Sequence, residues 1–147
     1  MLNLKIICVG KLKEKFYSDA SKEYEKRLSG YCKLDILEIP EITLDKESAA
    51  IGRHIPPGAL TVALCIEGRE MDSNGLSEFL TECAVRGAAR LCFIVGGSLG
   101  LHDDIKKGAD VRLSMSKMTL PHNLARIVLL EQLYRAFNIA GGGKYHK

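Results

Sequence analysis

Apolar and polar residues along this chain keep two rhythms that alternate from end to end. Residues 2–9 are almost unbroken apolar positions and predict a strand. A charged loop over 11–15 leads to a helical pattern over 17–28, with Ser18 in its N-cap region and Gly30 as the stop. Residues 33–39 predict a second strand closed by Pro40, and 44–54 a short helix ended by Pro56-Pro57-Gly58. Residues 60–66 form a strand nearly free of polar side chains, after which Glu67-Gly68-Arg69-Glu70 turns the chain. Ser73 is placed to cap a helix whose Leu76, Phe79, Leu80 and Cys83 recur at helical spacing, and Gly87 ends it. A strand over 91–95, a short segment ending near Gly108 and a last strand over 111–115 follow. Pro121 opens the final helix, which runs to about Ile139 before Gly141-Gly142-Gly143 releases the tail Lys144-Tyr145-His146-Lys147.

Strands that alternate with helices and carry apolar residues on both faces need cover on both sides. The expected fold is therefore a three-layer α/β arrangement around a mostly parallel sheet, and residues 1–147 read as one domain without repeat or linker. The final helix adds a constraint. Leu124, Ile127, Val128, Leu129, Leu130, Leu133, Tyr134 and Phe137 occupy more than one stripe. Either this helix is central to the domain, or one of its sides packs against a second subunit.

Composition narrows the class. With 147 residues, 46% hydrophobic and 27% charged, the chain suits a globular fold and needs no disulfide staples. No apolar run approaches the ~18 residues of a membrane helix, and the interrupted N-terminus is no signal peptide. Five cysteines (Cys8, Cys32, Cys65, Cys83, Cys92) include no C-x-x-C pair, and Cys8, Cys65 and Cys92 sit in apolar runs as small buried hydrophobes. Neither they nor His54, His102, His122 and His146 fall at metal-ligand spacing, so no metal and a reducing cytoplasm are expected. The net charge of +3 is uneven: +2 over residues 1–39, −3 over 40–100 and +4 over 101–147. Positive ends permit a face for a polyanion, although chance clustering on a solvated surface gives the same count.

Four segments carry candidate chemistry, each with a plainer reading beside it. Gly96-Gly97-Ser98-Leu99-Gly100 follows a buried strand, where α/β folds place ligands; the same glycines could serve only a tight turn. The spacing is not that of a dinucleotide fingerprint, and Asp110 lies too near to take a ribose. Met115-Ser116-Lys117-Met118-Thr119-Leu120-Pro121-His122 mixes apolar side chains with hydroxyls at a helix start, as a ligand wall or as a packed connector. His122 reads as structural rather than catalytic, and Lys11, Lys13 and Lys15 are phosphate contacts or solvated charges. Arg126 and Arg135 on the last helix read alone as solvated or interface charges. Tyr145, His146 and Lys147 bring an aromatic, an imidazole and a cation to a chain end that is otherwise expected to fray.

With these segments taken together, the chain resembles the RlmH family of ribosomal RNA large-subunit methyltransferases, within the SPOUT superfamily. The resemblance runs from Val9-Gly10-Lys11-Leu12-Lys13-Glu14-Lys15 and Tyr24-Glu25-Lys26-Arg27-Leu28 through Ile94-Val95-Gly96-Gly97-Ser98-Leu99-Gly100-Leu101. It is strongest over residues 113–122, which together with 126–137 and 145–147 are highly specific; the stretch from Glu41 to Leu60 looks shorter than is usual. The resemblance implies an α/β fold whose C-terminal part forms a trefoil knot, and S-adenosylmethionine held by Leu64, Gly96, Gly97, Met115, Ser116, Lys117, Met118, Thr119 and Leu120. It further implies a cytoplasmic homodimer in which the second subunit helps to complete each site. The implied substrate is a pseudouridine in helix 69 of 23S rRNA, methylated at N3 in the assembled 70S ribosome.

The chemistry of the tail suits that reaction. His146 is the expected base or proton relay, Arg135 and Lys147 would stabilise charge on the flanking carbonyl oxygens, and Tyr145 would stack on or hydrogen-bond the target base. Other readings compete: a SPOUT enzyme for another RNA such as a tRNA, a non-catalytic ribosome-binding factor that kept the fold and, more distantly because the glycine spacing is wrong, a nucleotide-dependent oxidoreductase.

Overall fold

Alternation along the strands decides which layer each side chain joins. In the computed structural model, which describes residues 1–88 and 90–147, the first strand is β1 (Leu2–Val9). Its Leu4, Ile6 and Cys8 enter one core and its Ile7 and Val9 the other, as period-two geometry requires. The chain continues through α1 (Lys15–Leu28), β2 (Cys32–Ile39), α2 (Leu44–His54), β3 (Leu60–Glu70), α3 (Ser73–Val85), β4 (Arg90–Val95), α4 (Asp103–Gly108), β5 (Val111–Ser114) and α5 (His122–Ala140). The five strands pair in the order β2-β1-β4-β3-β5, and every pairing is parallel. Leu91, Phe93 and Val95 of β4 face the same core as Leu28 of α1, Leu76 and Leu80 of α3, and Leu129, Leu130 and Leu133 of α5. Cys92 and Ile94 face the other core with Ile51 of α2, and Ile105 of α4 packs at its edge. The three-layer α/β expectation therefore holds.

The long last helix finds its place as the middle member of a helical layer. It packs against α1 on one side and α3 on the other. The two polar residues that break its apolar pattern have partners: Gln132 accepts from the Ser73 hydroxyl at 2.6 Å, and Glu131 holds Arg135. Arg126 is not solvated as its sequence context suggested. Its side chain is only 7% exposed and pairs with Glu38 at the end of β2 at 2.6 Å. The same Glu38 oxygen accepts the Leu12 amide at 3.3 Å, which ties the basic loop down. Arg126 Nε is buried without a partner.

Local differences from the sequence reading have clear causes. The first helix starts at Lys15 behind Glu14, so Ser18 is no cap. Asp72, rather than Ser73, caps α3 by accepting the Gly75 amide at 2.7 Å. Residues 67–70 do not turn the chain; they belong to β3, which bulges between Leu64 and Arg69, both partnered with Leu113. Gly68 makes this possible, since a Cβ there would lie 2.8 Å from the Arg112 backbone. The triple glycine is no loose linker either. Gly142 adopts φ +74°, and the amides of Gly142 and Gly143 return to the carbonyls of Ile139 and Asn138. That is a left-handed helix cap, and it turns the tail back along α5.

The Glu38–Arg126 pair makes an asymmetric prediction. Glu38→Ala leaves a buried guanidinium unpaired and should cost about 3–5 kcal/mol. Arg126→Met leaves Glu38, which is 31% exposed, able to hydrate, and should cost only about 1–3 kcal/mol. Urea unfolding midpoints with unchanged slopes would measure both.

Candidate functional site

The carboxyl ends of β3, β4 and β5 open onto one cavity of about 600 Å³. Ligands of parallel α/β sheets bind at this end, where successive loops diverge. Three segments build the wall. The β3 bulge supplies Leu64, Cys65, Ile66 and Glu67; the turn after β4 supplies Gly96, Gly97, Ser98 and Gly100; the loop into α5 supplies Met115, Ser116, Met118, Thr119 and Leu120. Pro121, the N-cap of α5, and His122 and Ala125 of its first turn close it.

Each segment is held by identifiable contacts. The Ser116 hydroxyl accepts the Met118 amide at 2.9 Å, and the Ser116 carbonyl accepts the Ser114 hydroxyl at 3.1 Å, which shapes the third loop. The second loop is a tight turn in which the Gly100 amide donates to the Gly97 carbonyl at 3.0 Å. Its glycines serve the turn and also face the cavity. A Cβ on Gly96 would meet the Gly100 backbone at 2.6 Å, so the turn demands that glycine, and one on Gly97 would meet the Glu41 and Val9 side chains at 2.8 and 2.9 Å; both also line the cavity. Asp110, rejected as a ribose ligand, instead accepts from the Thr61 amide at 2.8 Å and ties β5 to β3.

Glu41 was not singled out by sequence, and it latches the glycine turn. Its Oε1 accepts both the Ser98 amide at 2.8 Å and the Ser98 hydroxyl at 2.6 Å. These bonds, with His122 and Lys13 nearby, hold its carboxyl below the usual glutamate range. The wall also carries a charged pair missed by sequence, Lys106 to Glu67 at 2.7 Å. Their hydrogen bond lowers the Glu67 carboxyl and raises the Lys106 ammonium. Among the thiols, burial pushes Cys8 up to about 12 and Cys32 and Cys92 up to about 11, as expected of inert hydrophobes. Cys65 departs from that expectation, because it is half-buried and faces the cavity.

The tail forms a second cluster. Arg135 is bound by Glu131, one turn back, through Nε at 2.7 Å and Nη2 at 2.6 Å, and that contact raises the guanidinium further. The Arg135 guanidinium lies over the Tyr145 ring at 4.6 Å and reaches His146 Nδ1 at 3.0 Å. Tyr145 packs edge-on against Tyr134 at 4.9 Å, and its amide donates to Asn138 Oδ1 at 3.2 Å. Arg27 of α1 completes the cluster, 5.3 Å from the Tyr24 ring and 5.5 Å from that of Tyr134. Burial, with Tyr145 as hydrogen-bond partner, pushes the Tyr24 phenol up. Lys147 is exposed, and the tail is docked rather than frayed.

The residues expected from sequence thus fall into two places. Leu64, Gly96, Gly97, Met115, Ser116, Met118, Thr119 and Leu120 all line the cavity, whereas Lys117 is exposed and outside its wall. Tyr145, His146 and Arg135 gather at the far end of α5. Arg135 lies thirteen residues beyond His122 on one helix. At 1.5 Å per residue the two groups are about 20 Å apart.

A family model described as "Predicted SPOUT methyltransferase" matches residues 2–146. A relative from Clostridium botulinum (strain Eklund 17B / Type B), named ribosomal RNA large subunit methyltransferase H, is 46% identical over 159 aligned residues, covering 99% of this chain and all of its own. One of the same name from Clostridioides difficile (strain 630) is 44% identical with the same coverage. The chain belongs to the SPOUT methyltransferase family and, within it, to the group of ribosomal RNA large subunit methyltransferase H. The fold is also that of a probable methylase family protein from Haemophilus influenzae Rd KW20, with a TM-score of 0.60 at 12% identity, over 99% of this chain and 71% of that one. Among the described residues no helix is long and apolar enough to cross a membrane, and no metal-binding group of side chains occurs.

The latch is testable by hydrogen exchange. Glu41→Ala should lower protection of the Ser98 amide by about tenfold and leave the central β4 residue Phe93 unchanged. A lowered carboxyl keeps its bonds above the ordinary glutamate value of 4.5 and loses them as pH falls through its own depressed value. Protection at Ser98, corrected for intrinsic exchange, should therefore hold from pH 8 to about 5 and fall only below the usual carboxylate range.

Proposed function

We propose that this chain uses S-adenosylmethionine to methylate N3 of a pseudouridine in helix 69 of 23S rRNA, within the assembled 70S ribosome, as a cytoplasmic homodimer. Residues 1–147 form one SPOUT domain whose C-terminal part is knotted as a trefoil. The observation that carries this reading is the cavity built jointly by the bulge of β3, the glycine turn and the loop into α5.

The wall fits the cofactor. A cavity of this volume takes a small molecule. Leu64, Met115 and Leu120 offer an apolar slot for a flat ring, and Ser116, Thr119 and the Glu67–Lys106 pair offer hydrogen bonds. Gly96 and Gly97 keep the backbone near the ligand, with Met118 at the rim. When bound, S-adenosylmethionine supplies an electrophilic methyl group, so no metal is required.

The protein's own task is to position the acceptor nitrogen and manage charge. Arg135 and Lys147 favour negative charge on the carbonyl oxygens beside N3. Tyr145 gives a face on which the base stacks, and His146 handles the N3 proton or hydrogen-bonds the base. These groups lie about 20 Å from the cavity of their own chain by helix rise, so the reading requires each cavity to be served by the tail of a second copy. Two exposed apolar side chains at the cavity, Ile66 and Met118, suit burial against such a copy.

The test is transfer of labelled methyl from S-adenosylmethionine to 70S ribosomes, compared with free 23S rRNA. Transfer to ribosomes at N3 of the pseudouridine is expected, with little to the free RNA. Tyr145→Ala should lower the rate by about 10–100-fold, as loss of one stacked base contact of ~1–3 kcal/mol would. A strain lacking this chain that retains N3 methylation would contradict the reading.

A further inference from the structure

We infer that His146 acts as a neutral hydrogen-bond donor through Nε2–H, and that it is not the base that removes the N3 proton. The inference rests on the proposed function and assigns one residue its role within it.

Arg135 Nη1 lies 3.0 Å from His146 Nδ1. A guanidinium only donates hydrogen bonds, so Nδ1 must be the acceptor and carries no proton. A neutral imidazole has one ring proton, which therefore sits on Nε2. A ring held in this way offers an N–H at Nε2 and no free lone pair. Taking up a proton at Nδ1 would first require breaking the Arg135 contact.

That contact is fixed from several sides. Glu131 Oε1 takes both Nε and Nη2 of Arg135, which leaves Nη1 for His146. The Tyr145 ring lies against the guanidinium, and its backbone is anchored to Asn138. A Cβ on Gly143 would press on the Asn138 side-chain amide, which bonds Tyr31 and the Tyr145 amide, so a larger residue there would disturb the anchor of the tail.

A donor in this position suits the chemistry better than a base. When a uracil-type ring loses its N3 proton, negative charge spreads onto the two flanking carbonyl oxygens. A prearranged N–H toward one of them stabilises that charge as it forms. The N3 proton passes to solvent water. The nitrogen's electron pair forms the new bond to the methyl carbon while the carbon–sulfur bond breaks, its pair remaining on sulfur.

Nitrogen-15 NMR of the full chain labelled at histidine reads the tautomer directly, with His146 assigned from the spectrum of His146→Gln. At pH 8, where ordinary imidazoles with values of about 6.5 are neutral, Nε2 should be protonated and Nδ1 bare, and Arg135→Leu should weaken that preference. A proton on Nδ1 overturns the inference. Methyl transfer gives a second readout. His146→Gln keeps an amide donor near the Nε2 position and should stay within about tenfold of wild type, while His146→Ala should lose about 10²–10³-fold. Equal losses in both variants would overturn the inference. If the wild-type chain transfers no methyl to ribosomes, the proposed function fails on its own, and the tautomer measurement still decides the state of His146.

Discussion

Arg135, beneath the tail, lies thirteen positions along α5 from His122 in the cavity wall. The helix between them is not free to bend, because Leu129, Leu130, Leu133 and Ala136 are fully buried against the sheet and its neighbours. Gln132 and the Ala136 carbonyl are further tied to α3 through Ser73 and Ser77. A helix packed on two sides holds its ends at the separation its rise dictates. The proposed chemistry needs cofactor and acceptor base in contact, so this one distance turns the rest of the account toward a second chain. It also gives meaning to the two-sided apolar pattern of α5. Its core side is satisfied within one chain, while Leu124, Val128 and Ile139 remain only half-buried.

Three glycines shape the cavity, two by close backbone approach and one by contact with side chains. Gly68 lets β3 bulge against β5, Gly96 lets the turn after β4 close on Gly100, and Gly97 makes room for Glu41. Glu41 then fixes the turn through two bonds to Ser98. The loops are shaped before any ligand arrives, which limits the ordering cost of binding. The tail follows the same logic at the other end, where a left-handed glycine cap and an arginine held by Glu131 orient Tyr145 and His146 in advance.

Much of this was legible in the sequence, and the gaps have a physical pattern. Strand and helix identities followed from hydrophobic period, down to the short helix over 44–54 and the stop at Gly87. Eight of the nine expected cofactor residues line the cavity; Lys117 does not, because its long polar side chain takes the solvent side of the loop. The misses are contacts between distant positions. Glu41 and Ser98 are 57 residues apart, and Glu38 and Arg126 are 88, so no local pattern marks either pair. The bulge in β3 was hidden because Glu67-Gly68 reads locally as a turn, and only pairing with Leu113 reveals continued strand. The glycines of the tail read as slack for the same reason: a helix cap depends on where the amides return, not on composition.

The most direct test of the account mixes two disabled chains. Thr119→Trp fills the cavity from an exposed loop position, and His146→Ala removes the donor of the tail. Each variant alone should be nearly inactive. When the two are co-expressed, random pairing gives mixed dimers in which one intact cavity meets one intact tail of the other chain. The account predicts recovery to about a quarter of the wild-type rate. No recovery, with mixed dimers shown to be present, would mean that cavity and tail of the same chain act together, and would contradict it.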